Sequence, residues 1–165
     1  MSWIVRRANS ADLDALVIGC RALALETEHI HLDPEIVTLG VANVLDDDTR
    51  GFYLVAASDP AHPAAGQLMV TREWSDWRNG WFWWIQSVYV TPGSRRSGVY
   101  RALYAAVLEH ARNDESVCGV RLYVERHNLD ALATYRALGM DRTDYNLMEV
   151  DFSGIRARRH TEGPE

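Results

Sequence analysis

The chain has 165 residues, 47% hydrophobic and 24% charged, which is enough apolar material for one core without disulfides or a structural metal. A formal net charge of −6 argues against nucleic acid or an anionic membrane as a partner and suits cationic ones. Cys20 and Cys118 stand far apart and no Cys/His group has metal-ligand spacing, so buried free thiols and no metal are expected.

Ile4 to Arg7 predicts a short first strand. Asn9 or Ser10 then caps a helix, because Leu13, Leu16, Val17, Cys20 and Ala24 share one face at helical spacing. Asp33-Pro34 opens a second helix running to about Leu45. Phe52–Ala57, Gln67–Glu73 and Trp83–Val90 are apolar runs separated by short turn-rich loops, which predicts an antiparallel meander. From there strand and helix alternate: a helix from Arg95 to about Arg112, a strand over Val120–Glu125, and a helix from Leu129 to about Leu138. That rhythm implies a right-handed crossover and a pair of parallel strands in a mixed α/β sheet. Thr143 to Phe152 is expected to add a last strand. Residues 1–153 are expected to form a single domain, and 154–165, charged and aperiodic, a disordered tail. The N-terminus lacks an apolar signal core, and Trp81–Ile85 is too short to span a bilayer, so a cytoplasmic location is expected.

The most informative stretch is Val88-Tyr89-Val90-Thr91-Pro92-Gly93-Ser94-Arg95-Arg96-Ser97-Gly98-Val99-Tyr100-Arg101. A strand ends, a basic glycine-bearing turn follows, and an amphipathic helix opens with Val99, Ala102, Leu103, Ala106 and Val107 on one face. The first turn of a helix has amides without intrahelical partners, and its dipole favours an anion. Cations placed against that end point to a bound polyanion offsetting their repulsion. Arginines at a helix start are also common on solvated surfaces, and the turn alone favours the anion site only modestly. No GxxxxGK[ST] and no complete GxGxxG is present, which excludes two other phosphate motifs.

These residues resemble the GNAT superfamily of N-acetyltransferases. Arg95-Arg96-Ser97-Gly98-Val99-Tyr100 matches its [QR]-x-x-G-x-[GA] pattern at the first and fourth positions and departs from it at Tyr100. Val88-x-Val90-x-Pro92 resembles the family's preceding strand, and Asn128-x-x-Ala131-x-x-x-Tyr135-x-x-x-Gly139-Met140 its second signature. The resemblance spans roughly residues 3 to 152. It implies a mostly antiparallel, twisted sheet of six to seven strands, with a parallel pair splayed to admit acetyl-CoA and about four flanking helices.

It also implies roles. The strand Val88-Tyr89-Val90 would pair with the pantetheine arm. Arg95, Arg96, Ser97, Gly98, Val99, Tyr100 and Arg101 would hold the pyrophosphate. Asn128 would cap its helix and touch the cofactor. Tyr135, two turns further along the same face, would bind the cofactor sulfur and act as the catalytic acid; a Tyr between Leu132 and Leu138 also suits a core. The implied activity is acetyl transfer from acetyl-CoA to a primary amine of a small molecule or peptide. The alternative is a non-catalytic acyl-CoA-binding module, which Tyr100 and Gln86 favour, since members often carry a Glu where Gln86 stands.

A base must then come from elsewhere, and Glu26, Glu28, His29, His31 and Asp33 cluster near the end of the first helix. Glu26, Glu28 and Glu73 are the expected acceptor-side acids, with Trp74, Asp76, Trp77, Trp81, Trp83 and Trp84 near the same cleft. Acids at a helix end are also commonly just solvated. The tryptophans fit a cation-stacking wall or core and homodimer contacts equally well.

Overall fold

The structure is a computed structural model that describes residues 2–59, 62–124 and 126–153; the expected tail from 154 lies outside the described residues. In chain order the elements are β1 (Ile4–Arg7), α1 (Leu13–Glu28), α2 (Pro34–Asp46), β2 (Phe52–Ala57), β3 (Gly66–Ser75), β4 (Gly80–Val90), α3 (Val99–Asn113), β5 (Val117–Leu122) and α4 (Leu129–Ala137). The strands form one sheet in the order β1-β2-β3-β4-β5, antiparallel except for the parallel pair β4–β5.

The sheet is covered on both faces, and β2 shows how. All six of its residues are buried, as expected of a continuous apolar run. Phe52, Leu54 and Ala56 pack with Leu68, Val70, Trp83 and Ile85 beneath Val99, Leu103 and Val107 of α3. Tyr53 and Val55 face the other way, onto Leu16 and Val17 of α1 and Val41 and Val44 of α2. Gln67, 3% exposed in β3, crosses to the helical layer and donates to the Leu16 carbonyl at 3.0 Å. Gly19 makes room for it, since a Cβ there would collide with the Gln67 amide. At the N-terminus, Arg6 grips the buried Asp12 through two bonds of 2.7 and 2.8 Å, and Asp12 also accepts the Asn9 amide in a capping box.

Four expectations are corrected. The described sheet has five strands, not six or seven. Residues 143–152 carry no strand, and Tyr145, Leu147, Met148, Val150 and Phe152 are 67–94% exposed; local β-propensity does not make a strand without a ladder partner. The third helix begins at Val99 rather than Arg95, because Arg95 is extended and Arg96 left-handed (φ 59°). Cys118 is exposed and Cys20 half-buried, because Cys118 lies on β5, at the sheet edge. No helix among the described residues is long and apolar enough to cross a membrane.

Candidate active site

Strand β4 changes character at Ile85. From Trp81 to Ile85 it is paired on both sides, with β3 and with β5. The parallel ladder ends at Ile85↔Leu122. Two residues on, Ser87 is left-handed (φ 46°), and the β3 register slips between Gln67 and Met69. A β-bulge increases local twist and bends the strand away from its neighbour. Beyond Ile85, β4 runs on to Val90 with β3 alone, so its other edge, including Val88 and Tyr89, is open to an extended ligand.

The turn after β4 is held open by the chain itself. The Trp3 indole donates to the Ser97 carbonyl at 2.9 Å, and the Ser97 hydroxyl to the Ser94 carbonyl at 2.5 Å. Arg96 and Gly98 both have positive φ (59° and 89°), and alternation of this kind turns successive amides into one concavity, an anion nest. Gly98 is the N-cap of α3, and no side chain caps that helix. Among the described residues nothing lies within 4 Å of where a Gly98 Cβ would stand. The first intrahelical bond runs from the Ala102 amide to the Gly98 carbonyl, which leaves the amides of Val99, Tyr100 and Arg101 facing outward. The Val99 side chain is fully buried, so α3 is anchored while its amide end is presented. A diphosphate fits this turn.

Arg95 and Glu26 meet. The Arg95 guanidinium pairs with the Glu26 carboxylate at 2.5 Å, its Nε donates to the Val90 carbonyl at 3.1 Å, and the Tyr89 hydroxyl lies 3.4 Å from Glu26. Glu26 raises the pKa of Arg95, and burial followed by the Glu26 charge raises that of Tyr89. This latch ties the end of α1 to the start of the turn.

Asn128 is the N-cap of α4, its Oδ1 accepting the Ala131 amide at 3.1 Å. Gly139, left-handed at φ 85°, closes the helix, and the Met140 amide donates back to the Tyr135 carbonyl. Between those ends Tyr135 packs edge-on against Tyr100, ring centroids 5.8 Å apart, and Tyr100 stacks on Tyr104 at 6.0 Å. Tyr100, the departure from the family pattern, is thus turned toward the core. Its hydroxyl is buried and makes no hydrogen bond of ordinary geometry, although the Tyr135 hydroxyl is close enough to couple to it electrostatically. Burial raises the pKa of both phenols, an effect offset in part at Tyr135 by Tyr100. Both therefore stay protonated near neutral pH.

The expected acceptor-side acids are dispersed. Glu26 belongs to the latch, and Glu28 ends α1, exposed. Asp33 caps α2, and Asp76 accepts the Trp77 amide in the β3–β4 turn. Glu73 sits opposite Phe82 on β4, whereas Glu26 reaches Tyr89; seven residues of strand, about 23 Å, separate those points. The tryptophans are divided by strand alternation. Trp83 is buried against Phe52 at 5.1 Å, Trp74 and Trp81 pair at 4.9 Å with Trp81 against the α3-side core, and Trp77 is 85% exposed in the turn. Trp84 faces the other way.

A group the sequence reading did not assemble surrounds Trp84. Its indole donates to Glu73, Arg121 pairs with Glu73 at 3.1 Å, and Tyr123 stacks on Trp84 at 4.4 Å and 25°. Arg121 lies 3.5 Å over the Phe82 ring. Gly119 permits this, because a Cβ there would come within 2.6 Å of Phe82. The register pairs Phe82↔Gly119 and Trp84↔Arg121 are the signal that would have found the group. Beside it, Gln86 donates to the Thr71 hydroxyl at 2.5 Å. Among the described residues no group of three or more His, Cys, Asp or Glu side chains could hold a metal.

A sheet parted next to an uncapped helix end leaves room for an extended ligand with an anionic group at one end. The sequence profile of the acetyltransferase (GNAT) family matches residues 18–140, and the chain belongs to that family. A possible acetyltransferase from Clostridium difficile 630 is similar over 92% of this chain and 98% of its own, with 41% identity and a TM-score of 0.84. The mycothiol acetyltransferase of Kocuria rhizophila is 33% identical over 112 residues, 61% of this chain; that match spans about a third of the relative, 33% of its length. AAC(6')-Iy, solved with the bisubstrate analogue CoA-S-monomethyl-acetylneamine, shares the fold at 18% identity and a TM-score of 0.71, over 92% of this chain and 99% of its own.

Proposed function

We propose that this chain transfers the acetyl group of acetyl-CoA to a primary amine, in a ternary complex and by direct attack. The observation that carries the reading is the pairing of an open β4 edge beyond Ile85 with uncapped amides from Gly98 to Arg101. Supporting it, AAC(6')-Iy was solved with a coenzyme A–amine bisubstrate analogue. In this reading Val88 and Val90 hold the pantetheine arm by backbone pairing, the 95–101 turn holds the diphosphate, and Asn128 touches the cofactor beside its own helix.

Bound acetyl-CoA would supply the activated thioester. The amine lone pair attacks its carbonyl, a C–N bond forms and the C–S bond breaks. The amine sheds one proton, and Tyr135, kept protonated by its burial, donates one to the departing thiolate. A free alkylamine has a pKa of about 10.4, so it must reach the site deprotonated. Gln86 carries no charge and is committed to Thr71, so the proton leaves through ordered water toward an acid at the rim, for which Glu73 and Glu28 are candidates.

Thiol release from acetyl-CoA across a panel of amines tests the activity. The Tyr135→Phe variant should bind coenzyme A with unchanged affinity and lose about 100-fold or more in kcat. Unchanged turnover overturns the role of Tyr135. Tight cofactor binding without thiol release from any amine would instead mark a binding module.

A further inference from the structure

We infer that the platform of Phe82, Trp84, Arg121 and Tyr123, with Glu73 fixed at its edge, recognises an amino sugar: a neutral hydroxylated ring carrying the amine to be acetylated. The inference rests on the N-acetyltransferase reading and narrows its acceptor. Glu73, Phe82, Trp84 and Gln86 alternate onto the sheet face opposite α3, and Tyr123 follows Leu122, where β4 and β5 begin to part. The platform therefore floors the acceptor side next to the point a thioester would reach. Tyr123 is 53% exposed and the Glu73 side chain 47%, so the platform is accessible at Tyr123 and Glu73, while Phe82, 8% exposed, lies beneath Arg121 and Arg78 and holds Arg121 in place.

Its chemistry selects among amines. The cation position over these rings is already taken, because Arg121 lies 3.5 Å from the Phe82 centroid and 5.7 Å from that of Trp84. A second cation stacked there would meet Arg121 rather than a free π face. Glu73 and Arg121 neutralise each other and Arg78 lies 5.1 Å over the Phe82 ring, so the group has no net negative charge with which to gather a polycation. A purely apolar acceptor would strip water from both charged groups and give nothing back. A sugar ring meets every term. Its C–H face covers the exposed Tyr123 ring, and its hydroxyls, which both donate and accept, bridge a fixed carboxylate and a guanidinium.

Kinetics with the full chain test this, using glucosamine, cyclohexylamine, spermidine and a lysine peptide as acceptors. Glucosamine should exceed the other three by at least about 10-fold in kcat/KM. Tyr123→Ala should raise its KM about 10-fold while kcat stays within about twofold; the variant's melting temperature and coenzyme A affinity check that the fold is intact. Saturation-transfer NMR of glucosamine in the presence of coenzyme A reads the platform without catalysis. Signal lost in Tyr123→Ala, with no turnover of any amine, supports the platform and overturns the activity. Turnover of spermidine or the peptide equal to that of glucosamine, or a glucosamine KM or transfer signal indifferent to Tyr123→Ala, overturns the platform.

Discussion

Strands β2 and β5 belong to one sheet and live in different surroundings. β2 has a strand on each side and helices on both faces, and every residue is buried. Among the described residues β5 has one strand neighbour, and it has no fully buried residue and an exposed Cys118. The difference separates what holds the molecule together from what it leaves exposed. A strand enclosed on all sides has no surface left for a ligand, whereas β5 parts from β4 after Leu122 and presents Arg121 and Tyr123. Groups a ligand could reach sit at low-density positions on a scaffold made rigid elsewhere.

That contrast can be broken or sharpened by substitution. The largest effect should come from β2. Leu54, 1% exposed, replaced by Ala should cost about 3 kcal/mol, read as a fall in melting temperature of roughly 9 °C. An intermediate effect is expected at the N-terminal anchor. Asp12 has a depressed pKa, chiefly through its bonds to Arg6. Its contribution is therefore complete above the unfolded carboxylate value and is lost as pH falls through the lower, folded value. Asp12→Asn should cost about 1–2 kcal/mol near neutral pH, reduced because Arg6 is 39% exposed. The gap from the parent protein should close in strong acid, and denaturant melts from pH 7 to pH 2 would show it. A gap independent of pH would mean the ion pair is not its source. The smallest effect belongs to the far end of the chain. Leu147→Ala, at a position 67% exposed, should change stability by less than about 0.5 kcal/mol. A loss near that of Leu54→Ala would show that residues 143–152 are covered in solution.

Much of this was legible along the chain. Helical spacing at Val99, Leu103 and Val107 located α3, though not its first residue, and Asn128 and Gly139 are local punctuation for α4. Apolar runs located β2, β3 and β4 in order. Other features depended on neighbours remote in sequence. The Trp3–Ser97 bond joins residues 94 positions apart and the Glu26–Arg95 pair 69. The residues 143–152 have a strand's composition and lack a strand's partner.

By itself the sequence determined the succession of elements as far as α4, the glycine-bearing turn at Arg95–Gly98 and the family, because capping, periodicity and turn chemistry are interactions among residues a few positions apart. Only the tertiary structure decided that the tryptophans fall on opposite faces, that Glu26 serves the turn while Glu73 joins Arg121, and that β4 opens after Ile85. Those outcomes follow from strand register and a bulge, and register is settled by pairing between distant segments of chain.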